Sequence, residues 1–197
     1  MAKELTPEEK EEKRKQKKLR RQERRKEERL IRATYTNYLQ ELVDKLDEIN
    51  LYLSALYDSK DDPIIINSDK SVTHINFDDT LNHIYRIYEE LSDTTKYDND
   101  EIFEWIVGKI HPFYGEFVKE FAFEINKIPT LLKYSLDKAT SDDRIIRCFI
   151  VAYTANSQVA NILEEIIYHI SISDINKSKP DFVHTGLILK VWLPRWH

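Results

Sequence analysis

The chain has 197 residues, 41% of them apolar, and a formal net charge of -5, which suffices for one ordinary hydrophobic core with an appendage. Glycine at only three positions excludes the common Gly-rich phosphate loops, a lone Cys148 excludes an internal disulfide framework, and no apolar run approaches the roughly 18 residues of a membrane span. No apolar leader follows Met1-Ala2, so the expectation is an intracellular protein with no membrane partner, cytoplasmic or, in a eukaryote, nuclear.

Charge is unevenly divided. Residues 1–33 carry 14 Lys and Arg against 8 Glu, while residues 34–197 carry 16 basic and 27 acidic side chains. A basic arm (1–33) and an acidic body (34–197) are thus two candidate domains, and an arm of opposite sign commonly serves interactions the body does not.

Thr6-Pro7-Glu8-Glu9 has the form of a helix start. Thr6 can accept from the amide of Glu9, Glu9 can reach back to Thr6, and Pro7 has no amide hydrogen to leave unpaired. No Gly or Pro follows until Pro63, which predicts one helix of about fifty residues ending near Tyr57. Its N-terminal half has no apolar face. From Tyr35 onward, Leu39, Leu42, Leu46, Ile49, Leu53 and Leu56 recur at spacings of three and four, a seam that can pack inside the chain or pair with a second copy as an oligomer.

Two short β-branched arms, 63–67 and 71–75, around Ser68-Asp69-Lys70 predict a hairpin, which a C-terminal strand over 183–193 would support. Phe77, Leu81, Ile84, Tyr88 and Leu91 predict a helix capped by Asn76 or Asp78. Ile102, Ile106, Ile110, Phe113, Phe117, Phe121 and Ile125 predict another within 98–127, kinked or broken at His111 because Pro112 cannot continue it but can start a new one. A short helix over Thr130 to Ala139 and a final one of about thirty residues from Ser141-Asp142-Asp143 complete the series. The expected fold class is mainly α, a four- to five-helix bundle with a long N-terminal basic helix and a small β element joining 63–75 and 183–193.

Ile110 to Gly115, Ile-His-Pro-Phe-Tyr-Gly, resembles a short element in the N-terminal helical region of nucleolar GTP-binding proteins of ribosome assembly. The likeness covers six residues, none of that family's GTPase motifs follow, and it implies no residue role.

Catalytic signals are sparse. Cys148 lies among Ile146, Phe149 and Ile150, where a buried and inert thiol is expected over a nucleophile, and the histidines show no zinc-ligand spacing. Asp79 with His83 and Glu165 with His169 stand four apart, each able to supply two ligands or an acid-base pair, or else only a local surface pair or cap. Asn156, Ser157, Gln158 and Asn161 interrupt an apolar helix, as interhelical hydrogen bonding or a polar pocket would require. No cofactor, metal site or enzymatic activity is expected.

The strongest signal is basic. Lys13, Arg14, Lys15, Lys17, Lys18, Arg20, Arg21, Arg24, Arg25 and Lys26 share fourteen positions with one acid, Glu23. Glu9 with Lys13, Glu11 with Lys15 and Glu28 with Arg32 are spaced to pair, but Lys13 with Lys17, Arg14 with Lys18, Lys17 with Arg21, Arg20 with Arg24 and Arg21 with Arg25 repel. A polyanion would relieve that repulsion and release counterions. Nucleic acid, DNA or RNA, or a ribonucleoprotein is the first expectation, with a protein partner on the acidic body. An acidic protein surface, including the acidic body of another copy, is the second candidate for the arm, and a passive solvated arm the third. The separate expectation is a structural or viral scaffold subunit assembled through the 35–56 seam.

Overall fold

The computed structural model describes residues 6–59, 61–92, 99–125 and 128–171. They form a mainly α fold with six helices: α1 (Pro7–Asp58), α2 (Phe77–Ser92), α3 (Asn99–Lys109), α4 (Pro112–Glu124), α5 (Ile128–Asp137) and α6 (Asp142–Ser171). Six exceeds the four or five expected because Pro112 divides one periodic stretch into two helices and the short α5 is complete in itself. No described helix is long and apolar enough to cross a membrane. The strand expected at 183–193 lies outside the described residues.

The predicted start of α1 is present in both of its hydrogen bonds. The Thr6 amide donates to Glu9 Oε2 at 2.7 Å and the Glu9 amide to Thr6 Oγ1 at 3.3 Å. α2 is capped by Asn76, whose Oδ1 accepts from the Asp79 amide at 3.1 Å. At the proline break the Phe113 amide donates to His111 Nδ1 at 3.1 Å, so the imidazole caps α4 as Asn or Ser would elsewhere. α5 begins two residues earlier than its pattern suggested, with Pro129 inside its first turn, where the missing amide hydrogen has no intrahelical partner to lose.

Strands β1 (Ile64–Ile66) and β2 (Val72–His74) pair antiparallel, with Ile65 opposite Thr73. Their turn is closed by Lys70 N to Asn67 O and Asn67 N to Ser71 O, both 2.9 Å. Lys70 takes a left-handed φ of 65°, and Asp69 Oδ1 accepts from the Ser71 amide and hydroxyl at 2.9 and 2.6 Å. The hydroxyl bond chiefly, and the amide bond after it, hold the Asp69 carboxyl below its usual range.

By its contacts the chain divides into two units, residues 1–38 and 39–197. In the first, α1 is exposed on every side from Pro7 to Glu27, as a segment without an apolar face must be. In the second, Leu39, Leu42, Leu46, Ile49, Leu53 and Leu56 of α1 are all at or below 5% exposure. They belong to the core with Ile84 and Tyr88 of α2 and Phe149, Leu163 and Ile166 of α6. The heptad seam is therefore covered by the chain's own body, and a second copy would reach it only by opening that core.

A polar triangle ties three helices together inside this apolar setting. Tyr88 OH donates to Asn156 Oδ1 at 3.0 Å, Asn156 Nδ2 to Asn50 Oδ1 at 3.2 Å, and Asn50 Nδ2 to Ser157 Oγ at 3.1 Å. Of the polar residues that interrupt α6, Asn156 and Ser157 thus serve interhelical bonding, while Asn161 is exposed. No buried side-chain polar atom among the described residues lacks a partner, so the triangle fixes the relative positions of α1, α2 and α6 without an unpaired group.

Two glycines make opposite predictions. A Cβ on Gly115 of α4 would run into Val107 Cγ2 and stand 3.2 Å from the Phe103 carbonyl oxygen of α3, whereas one on Gly108 would meet nothing within 4 Å. Gly115→Ala should destabilise the body by about 1–3 kcal/mol through overpacking, and Gly108→Ala should stabilise it by about 0.5–1 kcal/mol through helix propensity. Urea denaturation of the two variants checks both signs.

Candidate nucleic-acid interface

A helix turns 100° per residue, so a continuous α1 converts the linear basic run into a geometry. Lys13, Arg14, Lys17, Lys18, Arg20, Arg21, Arg24 and Arg25 fall within an arc of about 160°, on which no acid between 13 and 26 intrudes. Lys15 and Lys26 lie outside it, on the side of Glu12, Gln16, Leu19 and Glu23. From Lys13 to Lys26 the helix rises about 20 Å.

All ten basic side chains are exposed. Among the described residues Lys15 alone of the ten has an ion-pair partner, Glu11 at 3.0 Å, and Lys15 is not on the arc. Glu28 and Arg32 pair at 3.1 Å as their spacing suggested. Glu9 does not pair with Lys13. Its carboxylate is turned back to the Thr6 amide, because the capping bond satisfies a helix-terminal donor that a fully solvated ion pair would leave open. The result is a one-sided stripe of eight cations with no counter-charge on it between residues 13 and 26; Glu28, the next acid along that side, is taken up by Arg32.

The two carboxylate-imidazole pairs resolve differently. His83 turns away from Asp79: its Nε2 is 3.0 Å from Glu48 Oε1 of α1, and its Nδ1 is 2.7 Å from Arg86 Nη2. Arginine only donates, so Nδ1 must accept and Nε2 carries the proton that Glu48 receives. Together with the Lys45–Glu90 ion pair, this closes the α1–α2 surface; Lys45 chiefly holds the Glu90 carboxyl below its usual range. Glu48 was missed because its pairing to His83 joins residues thirty-five apart on two helices, which spacing along one helix does not reveal, whereas Arg86, three residues after His83 on α2, was within reach of such spacing and was passed over for Asp79.

Glu165 and His169 do stand on one side of α6, 3.9 Å apart, and a third group joins them. Tyr114 OH of α4 donates to Glu165 Oε1 at 2.7 Å, and its ring centroid lies 5.6 Å from that of His169. Tyr114 is fully buried, and burial first, then the bond to and charge of Glu165, push its phenol well above the usual range. A phenol held neutral beside a carboxylate is a clasp between α4 and α6, not a base. Cys148 is half-buried, short of the full burial expected, yet that partial burial still pushes its thiol up, which disfavours a reactive thiolate. No group of three or more His, Cys, Asp or Glu among the described residues is placed to hold a metal ion.

These phenols set an alkaline limit. Burial, with the charge of Asp137 adding, pushes Tyr85 up to about 12, and burial pushes Tyr88 and Tyr114 higher still. In the unfolded chain each ionises near 10, whereas in the folded chain each keeps its proton to higher pH. The folded state then binds more protons above 10, so the stability these groups contribute is full below about 10 and is lost as pH rises from there through the folded values, about 12 for Tyr85 and higher for the other two. The urea midpoint should fall steeply between about pH 10 and about pH 12, less steeply in Tyr114→Phe.

Comparison of the chain with protein-family models, with curated proteins and with solved structures finds no match. The stripe and the clasp are therefore judged on their own chemistry.

Proposed function

We propose that the chain is a non-enzymatic nucleic-acid or ribonucleoprotein-associated protein. The basic helix takes phosphate backbone through Lys13, Arg14, Lys17, Lys18, Arg20, Arg21, Arg24 and Arg25, with Lys15 and Lys26, off the arc, adding to its positive charge, and the acidic body docks a protein partner. The observation that carries this reading is the uncompensated stripe: eight exposed cations on one side of a helix that repels itself until a polyanion arrives. Neutralised phosphates release counterions, the main source of sequence-blind affinity. In a eukaryotic host the same residues would serve as a nuclear localisation signal.

Fluorescence anisotropy of the full chain with a generic nucleic acid and, separately, with polyglutamate tests the reading. Binding to nucleic acid should fall linearly in log-log form with salt, by about 10³ or more between about 50 and about 200 mM. Polyglutamate bound as tightly at the same charge density would assign the arm to acidic protein surfaces instead. Assembly through Leu39 to Leu56 is the weaker reading, because those side chains are enclosed in the body.

A further inference from the structure

We infer that the stripe is built for double-helical nucleic acid and discriminates against single strands; this rests on the nucleic-acid reading and narrows it. Three features of residues 7–34 point the same way. The first is rigidity. α1 has no Gly or Pro after Pro7, so the eight cations are held in fixed positions over about 20 Å. A duplex offers phosphates at equally fixed spacing, about six along one strand over that length. A single strand would have to give up its backbone freedom to lie against the same straight row.

The second feature is the lack of stacking surfaces. Sites for single strands combine a basic groove with aromatic platforms, each stacked base contributing about 1–3 kcal/mol. The first aromatic residue in the chain is Tyr35, beyond the whole basic segment. The third is one-sidedness. Glu12, Gln16, Leu19 and Glu23 occupy the opposite face, so the helix lays a single charged side against its ligand, as contact along one wall of phosphates requires, and does not wrap a flexible chain. Only Lys and Arg stand on the arc, while Gln16 and Gln22, which can pair with adenine edges, stand off it. Contact is therefore to phosphate, and DNA and RNA duplexes are alternative sources of one chemistry.

The test uses the full chain with DNA and RNA duplexes of about twenty base pairs and an oligo(dT) of matching length, at about 50 to about 200 mM salt. At least one duplex should bind at least about tenfold more tightly than oligo(dT), with a log-log salt slope of about -5 to -7. The relative affinities of the two duplexes identify which source is favoured.

A charge-exchange variant, Gln16→Lys with Lys17→Gln and Arg21→Gln with Gln22→Arg, keeps net charge and helix propensity while moving two cations off the arc. Circular dichroism should show its helix content unchanged. Its duplex slope should shrink by about 2 and its duplex affinity fall about tenfold, with oligo(dT) binding unaltered. Oligo(dT) binding equal to or tighter than both duplexes, or an exchange variant that binds duplex as wild type does, overturns the duplex inference and leaves the nucleic-acid reading standing. Salt-dependent binding to none of the three probes overturns both.

Discussion

Replacing Lys13, Arg14, Lys17, Lys18, Arg20, Arg21, Arg24 and Arg25 together with Gln should abolish the proposed nucleic-acid binding: an expected affinity of roughly 10⁻⁵ M at physiological salt should weaken at least about a hundredfold, and the salt slope should collapse towards zero. Gln supports a helix nearly as well as Lys or Arg, so the loss reads charge and not folding. Thermal unfolding of the body should be unchanged, since none of the eight residues lies in the 39–197 unit that contains the core. If the octa-Gln protein binds as before, the stripe is not the interface. The five like-charge pairs at four-residue spacing each cost roughly 0.2–0.5 kcal/mol, so the same substitution should also raise the helicity of the arm at low salt.

Leu46→Ala should cost the body about 2–5 kcal/mol, the range for deleting a fully buried leucine from a core that relaxes only partly. Against a total stability of about 5–15 kcal/mol this is a large fraction, and it lowers the urea midpoint by about 1–2 M. The companion measurement is the dependence on protein concentration. A seam buried within one chain gives a midpoint that does not move over a hundredfold dilution, about the range in which a dimer's would shift clearly. A concentration-dependent midpoint in wild type, abolished by Leu46→Asp, would instead place the seam between chains and revive the scaffold reading.

The helices themselves were legible in advance because their signals are local. Thr6 with Glu9, Asn76 before α2 and Pro112 after His111 act within a turn of where they stand, and so a linear reading locates them. The periodic apolar residues of α1, α2 and α6 gave the faces of those helices for the same reason. The hairpin was legible from its turn, whose hydrogen bonds join residues no more than four apart. Cross-helix chemistry was not. Nothing in the spacing of Asp79 and His83 announces that Glu48, thirty-five residues away, outcompetes Asp79 for the imidazole, or that Tyr114 completes Glu165 and His169.

The sequence by itself determined the charge of the arm, its lack of an apolar face and the helical period of the body, since composition, capping and periodicity depend on a residue and its near neighbours. Continuity of α1 then turned ten basic residues into eight on one side, a consequence of a fixed 100° turn. Only the tertiary structure decided the fate of the seam. Leu39 to Leu56 offer the same apolar row to any matching helix, and burial against the chain's own helices selects among equivalent partners that the pattern cannot distinguish. The Asn50, Tyr88 and Asn156 triangle shows why that packing is definite: each polar group is satisfied in one arrangement of three helices, and a shift of any of them would leave a buried group unpaired at a cost of about 1–3 kcal/mol.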